Sequence, residues 1–161
     1  MLFRVGGSLL LVGLSLYACY SFSLLEERRV RQTEGFLLLL RYIRTQIACF
    51  RATVGDIYTS FENRALTECG FLAALRRIGF SEAMNASRAR LYLDEEELRL
   101  LSAFGEEIGQ GYAEDALALC DYTVSEMEKA MEKRRAEAPR RTRVAHSLVM
   151  TGGLVLVFLL L

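Results

Sequence analysis

The chain has 161 residues, which is room for one domain of ordinary size. Its 20 basic and 20 acidic residues give a formal net charge of zero, so the charge offers no support for a nucleic-acid partner. Hydrophobic residues make up 52% of the chain although 25% of it is charged, and the apolar excess lies at the two ends. This distribution predicts a charged central domain between two apolar segments.

The first apolar segment, residues 5–25, contains no charged residue. It is about long enough to cross the hydrocarbon core of a bilayer, which is roughly 30 Å thick. The sequence before Cys19 also resembles a lipoprotein cleavage site, so an exported lipoprotein is an alternative. However, the apolar stretch continues beyond Cys19 and exceeds the roughly 7–15 apolar residues of a signal peptide. We therefore predict an uncleaved N-terminal transmembrane helix in residues 1–25.

Arginines indicate the orientation of this segment. Three follow it closely and only Arg4 precedes it, so the next part of the chain is predicted to be cytoplasmic. A second apolar segment, residues 144–161, follows another arginine cluster and predicts a C-terminal transmembrane helix with a matching orientation. The arginines expected at the membrane interface, beside lipid headgroups, are Arg28, Arg29, Arg31, Arg140, Arg141 and Arg143.

Residues 26–143 are predicted to form the cytoplasmic domain. Apolar residues recur in steps of three and four from Phe36 to Val54, which predicts an amphipathic helix over residues 29–54 that continues from the membrane. Gly55 and Asp56 interrupt this pattern. Asp56 is a candidate N-cap for a short helix that extends through Phe61.

Further short helices are predicted in the middle of the domain. Gly70 and Gly79 bracket one of them, and Ser81 is the candidate N-cap of the next. Residues 85–90 lack a clear pattern and predict a loop or a frayed helix. Asp94 and Glu97 have the spacing of a capping box, which predicts the start of a longer helix. The apolar face of that helix consists of Leu98, Leu101, Phe104 and Ile108.

The last helix is predicted to follow a break at residues 109–111. Its apolar stripe consists of Leu117, Cys120, Val124, Met127 and Met131. We expect this stripe to pack against the 29–54 helix, and we expect Pro139 to kink or interrupt the last helix. Because no strand-like alternation persists, the predicted fold class is all-α. The architecture is a cytoplasmic antiparallel helical bundle between an N-terminal and a C-terminal transmembrane helix.

No residues have the spacing of a catalytic, cofactor-binding or metal site. The single histidine, His146, lies at the predicted membrane boundary, where a polar interfacial residue is ordinary. The cysteines form no Cys-x-x-Cys pair and are interpreted as small buried hydrophobic residues in a reducing compartment: Cys19, Cys49, Cys69 and Cys120. We therefore predict an interaction protein that is not an enzyme and binds no cofactor.

Several segments stand in a recognisable order. They are the N-terminal apolar segment, Arg29-Val30-Arg31-Gln32, Gly79-Phe80-Ser81-Glu82-Ala83, the stretch from Leu100 to Gly109, and the tail from Ser147 into the final leucine run. In this order and spacing the chain resembles the stage III sporulation protein AB family of endospore-forming bacteria. The resemblance covers nearly the whole length and depends on no single motif.

The resemblance implies a component of the channel complex that joins mother cell and forespore during sporulation, a relative of secretion machines. The soluble domain would be similar to the cytoplasmic domains of type II secretion and type IV pilus platform proteins. It would lie on the mother-cell side and couple a cytoplasmic ATPase to the other membrane proteins of the complex. A general membrane adaptor unconnected with sporulation is the alternative.

Candidate contacts with the ATPase are expected at the membrane-distal end of the bundle. The turns at residues 55–56 and 109–111 should lie there, because both neighbouring helices run away from the membrane for several turns. The charged residues close to those turns are Asp56, Glu106 and Glu107. We predict these three as partner-binding residues, and a second copy of the chain is a further candidate partner.

Overall fold

The computed structural model describes residues 2–50 and 54–160, with side chains for residues 23–49 and 55–136 and for a few earlier positions. These residues form seven α-helices and one 3₁₀ turn, and the part described contains no strand. The all-α prediction is therefore confirmed. The elements are α1 (Leu2–Phe50), α2 (Val54–Ser60), α3 (Arg64–Glu68), α4 (Phe71–Ile78), α5 (Phe80–Ser87), the 3₁₀ turn (Arg88–Arg90), α6 (Glu95–Glu107) and α7 (Ala113–Leu160).

The chain divides into two compact units. One is Arg28–Glu132, and the other combines residues 1–27 with residues 133–161. The segments predicted to cross a membrane, residues 5–25 and 144–161, belong to the second unit and lie mostly outside the described side chains. Among the residues that are described, no helix combines the length and apolar character that a membrane span requires. The domain boundaries after residues 25 and 143 stay predictions.

Within the unit Arg28–Glu132, helices α1 and α7 pack against the same core. Phe36 and Ile43 on α1 are fully buried, as are Cys120 and Met127 on α7. Two ion pairs join the helices, Arg44 with Asp121 and Arg41 with Glu128. Residue numbers fall along α1 from one pair to the next while they rise along α7, so the helices are antiparallel. This confirms the predicted packing of the two apolar stripes.

Four phenylalanines connect the short helices to α1. The ring centroids of Phe36 and Phe71 are 4.8 Å apart, those of Phe71 and Phe80 are 5.4 Å apart, and those of Phe80 and Phe104 are 5.1 Å apart. Each pair has an edge-to-face arrangement, which aromatic rings favour because of their quadrupoles. This chain of rings passes through α1, α4, α5 and α6, so it forms the centre of the core.

Several helix starts differ from the prediction. Helix α2 begins at Val54, so Asp56 lies inside its first turn and is not the N-cap. Helix α5 begins at Phe80 directly after Gly79, whose φ of 85° is accessible to glycine, and Ser81 therefore lies inside the helix. Helix α3 was not predicted. Its N-cap is Asn63, whose Oδ1 accepts a hydrogen bond from the Leu66 backbone N–H at 3.2 Å.

Other local predictions had mixed outcomes. The capping box of Asp94 and Glu97 is confirmed, and the four apolar residues predicted for α6 are buried. Residues 85–87 complete α5, and the 3₁₀ turn follows them. The backbone is helical through Pro139, so the expected interruption there is wrong. Proline removes one N–H donor, and the remaining helical hydrogen bonds on both sides can maintain the helix.

Close contact between α5 and α6 depends on Gly105. A Cβ atom at this position would lie 2.7 Å from Cδ1 of Phe80 and 3.0 Å from the backbone nitrogen of Ser81. We predict that Gly105→Ala lowers the free energy of unfolding by about 1–3 kcal/mol, because the two helices must separate or shift. Thermal unfolding followed by circular dichroism measures the change.

Gly55 provides the matched control for this substitution. Among the described residues, a Cβ atom at Gly55 in α2 would meet no heavy atom within 4 Å apart from its chain neighbours and its own helix backbone. Gly55→Ala should leave stability unchanged or raise it by up to about 1 kcal/mol, because alanine favours a helix over glycine. Equal melting temperatures for the two variants would contradict the close contact between α5 and α6.

Candidate docking surface

A polar network joins α1 to the extended segment that precedes α6. The Tyr92 backbone N–H donates to Oε1 of Gln32 at 2.7 Å, and Nε2 of Gln32 donates to the Arg90 carbonyl at 3.1 Å. Nε of Arg29 donates to the Tyr92 carbonyl at 2.8 Å, and Nη1 of Arg29 lies 3.5 Å from Oδ1 of Asp94. Helix α1 thus holds residues 90 and 92 through their backbone and Asp94 through its carboxylate.

The first turn of α6 is bound to α1 through a buried carboxylate. Glu97 is 2% exposed, and its Oε1 accepts a hydrogen bond from Oγ1 of Thr33 at 3.2 Å. Its Oε2 accepts from the Asp94 backbone N–H at 2.8 Å. A buried carboxylate is costly unless hydrogen bonds replace its water. The Thr33 bond therefore joins the start of α6 to α1, and the Asp94 bond caps the helix.

The three predicted partner-binding residues lie near one end of the α1/α7 pair. Because the helices are antiparallel, the end of α1 at Phe50 and the start of α7 at Ala113 are on the same side. Asp56 is in the first turn of α2, shortly after α1 ends, and is exposed. Glu106 and Glu107 are in the last turn of α6, shortly before α7 begins, and are also exposed. We call these three residues the acidic end.

Buried residues and a hydrogen bond hold α2 against the core, so the position of Asp56 is fixed. Ile57 and Tyr58 are buried in the core, at 2% and 6% exposure. Nη2 of Arg76 on α4 donates to the Phe61 carbonyl at 2.9 Å, just after α2 ends. Burial raises the pKa of Tyr58, and the nearby Cys120 acts in the same direction, so the phenol stays protonated near neutral pH.

Tyr112 is an exposed aromatic residue that the sequence analysis did not select. It is 85% exposed and lies just before α7, next to the acidic end along the chain. Its backbone N–H donates to Oδ2 of Asp115 at 3.3 Å, which helps to form the first turn of α7. The only signal in the sequence is one aromatic residue directly after Gly109-Gln110-Gly111. Exposed tyrosines are common in protein interfaces.

The arginines predicted at the membrane interface have different surroundings. Arg28 and Arg31 are exposed, whereas Arg29 is part of the polar network. A hydrogen bond from Arg64 is the main reason that the pKa of Glu68 is lowered, and the charges of Arg31 and Arg28 add to this effect. Arg28 and Arg31 are thus near the end of α3. The others lie outside the described side chains: Arg140, Arg141 and Arg143.

The buried cysteines have little thiolate character and are therefore poor nucleophiles. Burial raises the pKa of the Cys120 thiol to about 11, and burial also raises the pKa of the Cys69 thiol, so both stay protonated near neutral pH. Cys49 is exposed, so the prediction of a buried cysteine is wrong at that position. The side chain of Cys19 is outside the described residues. Among the described residues, no group of three or more His, Cys, Asp or Glu could hold a metal ion.

The described residues define an all-α domain with exposed acidic and aromatic side chains. A family profile described as Stage III sporulation protein AB matches residues 4–161, and the chain belongs to that family. No curated protein and no solved structure gave a significant match. Two segments that carried the resemblance meet in the fold, because Gly105 lies against Phe80 and Ser81.

The polar network predicts that removal of the Gln32 amide group lowers the stability of the domain. Gln32 is 5% exposed, and Gln32→Ala would leave the Tyr92 N–H and the Arg90 carbonyl without their partner. We expect the free energy of unfolding to fall by about 1–3 kcal/mol, measured by urea denaturation. Gln110→Ala, at an exposed glutamine, should change it by less than about 0.5 kcal/mol. Similar losses for both variants would show that the network contributes little.

Proposed function

We propose that the chain is a non-enzymatic, membrane-anchored component of the sporulation channel complex between mother cell and forespore. In this role it couples a cytoplasmic ATPase to the membrane proteins of the complex. Membership of the stage III sporulation protein AB family carries the link to sporulation. The channel, the ATPase and the cell membrane as the location rest on the resemblance and on the sequence, and each is open to a separate test.

Membrane anchorage is supported by the sequence at both ends. Residues 5–25 and 144–161 carry no charge, and arginines flank each segment on the side of the central domain. Two helices inserted with these orientations place the unit Arg28–Glu132 in the cytoplasm. Under this arrangement the sequence predicts that the acidic end is membrane-distal, and we expect a large soluble partner to have access to it.

The acidic end is the observation that favours docking of a soluble protein. Asp56, Glu106 and Glu107 are exposed on helices that are fixed to the core, so they present negative charge at defined positions. Charges of this kind mainly steer and orient a partner, which needs a basic patch to match them. Tyr112 adds an aromatic side chain that the partner can bury.

Reversal of charge at the acidic end tests this docking. We expect Glu106→Arg with Glu107→Arg to weaken binding of the cytoplasmic ATPase of the complex at least about tenfold, which corresponds to about 1.4 kcal/mol. The melting temperature should hardly change, because both side chains are exposed. Binding is measured by titration of the ATPase against the full chain in detergent, at two salt concentrations.

The control for this experiment is Glu96→Arg with Glu132→Arg. It reverses two exposed acidic residues, one at the start of α6 and one about five helical turns into α7, away from the acidic end. This variant should bind the ATPase as the unchanged chain does. Equal binding by all three proteins would exclude the acidic end as the contact, and the adaptor role would then require another surface.

The cytoplasmic location is tested by labelling a cysteine at residue 95. The side chain of Glu95 is 70% exposed, so Glu95→Cys should be reactive in the folded domain. Cys19 and Cys49 are replaced by serine to remove other reactive thiols. An impermeant maleimide should label the protein only after the cells are permeabilised. Labelling in intact cells would reverse the orientation and favour the exported lipoprotein.

A further inference from the structure

Helices α1 and α7 share an outward face that carries few charged residues. With 100° between successive residues of a helix, the exposed positions opposite the core fall on one strip of each helix. Leu38 is 51% exposed and Tyr122 is 61% exposed. Most other members of the two strips are small and exposed. Lys129 also falls on the α7 strip, and its Nζ lies 2.7 Å from Oε1 of Glu126. We call the following set the outer face: Leu38, Thr45 and Ala48 on α1, with Ala118, Tyr122 and Ser125 on α7.

Two rows of opposite charge run beside this outer face. Arg41 and Arg44 form a basic row on α1, and Asp121 and Glu128 form an acidic row on α7. Nη2 of Arg44 lies 3.3 Å from Oδ2 of Asp121, and all four side chains are about half exposed. Within one chain these rows compensate each other, and each row also remains accessible to another molecule.

We propose that two copies of the chain dock through their outer faces, about a two-fold axis parallel to the helices. Such an axis places α1 of one copy over α7 of the other. The basic row of each copy then lies opposite the acidic row of its neighbour, so the contact is self-complementary. Arg44 pairs with Asp121, so the adjacent Thr45 and Tyr122 are at one level along the helices. Thr45 therefore lies opposite Tyr122 of the second copy.

The charge pattern distinguishes this arrangement from the other symmetric one. A two-fold axis across the helices would stack α1 on α1 and α7 on α7. Arginine would then oppose arginine and carboxylate would oppose carboxylate, which is unfavourable. The parallel axis also preserves the direction of the helices. Two chains anchored in one membrane, as proposed above, need that direction, although the charge argument stands without the anchorage.

The size of the outer face indicates a contact that is weak in solution. Two helix faces about 10 Å wide and 20–25 Å long give a buried area of roughly 1,000 Å² for both copies together. This is below the usual size of stable complexes. Two chains in the same membrane have a high effective concentration, which compensates for low affinity. The experiment therefore uses the full chain in membranes.

Exchange of single charge rows tests the proposal. One chain carries Arg41→Glu with Arg44→Glu, and a second chain with another tag carries Asp121→Arg with Glu128→Arg. Each variant alone should show at least about tenfold less capture of its own differently tagged copy than the unchanged chain does. Coexpression should restore capture to within about threefold of the unchanged chain, because each altered row meets an opposite row. Repulsion inside each chain is the same in both arms and cannot explain the recovery.

A second measurement leaves the charges unchanged. Chains with Thr45→Cys and chains with Tyr122→Cys, each with Cys19→Ser and Cys49→Ser, are coexpressed and treated with a short bifunctional maleimide. The two kinds of chain should cross-link to each other, and two Thr45→Cys chains should not. No recovery of capture, or cross-linking mainly between two Thr45→Cys chains, would overturn the proposal. Glu106→Arg with Glu107→Arg should leave the cross-link unchanged, which separates this contact from ATPase docking.

Discussion

The antiparallel packing of α1 against α7 is the contact on which the other helices depend. Helices α2 to α5 have between five and eight residues each, and isolated helices of that length are marginal in water. They persist because their apolar residues pack against the long pair. The chain of four phenylalanines starts on α1 at Phe36, so the centre of the core is built outward from that helix.

Backbone contacts make this architecture tolerant of sequence change at some positions and intolerant at others. Gln32 binds the backbone of residues 90 and 92, and Arg76 binds carbonyls at the end of α2. Such contacts constrain the residue that provides the side chain and leave its partners free to vary. Gly35 is constrained for another reason, since a Cβ atom there would lie 2.9 Å from Oδ1 of Asn63, the cap of α3.

The long amphipathic patterns allowed the two main helices and their pairing to be predicted, because stripes such as Cys120 to Met131 specify one buried face. The capping box at Asp94 was equally clear, since its signal is local. Helix α3 has only five residues and was missed, because so short a helix has no periodicity to detect. The exposure of Tyr112 and the burial of Glu97 depend on tertiary contacts. The acidic residues Asp56, Glu106 and Glu107 are exposed, and their role in partner binding stays a prediction because no sequence pattern identifies what binds them.

The order of the helices along the chain has a consequence for synthesis. The apolar stripe of α1 finds its main partner only after the ribosome has made residues 113–132, at the opposite end of the domain. At about 5–20 residues per second, this interval lasts several seconds. Contacts of such long sequence separation are also slow to form, since closing the intervening loop costs entropy. During this time the nascent stripe from Phe36 to Ile47 exposes apolar surface that α7 later helps to bury.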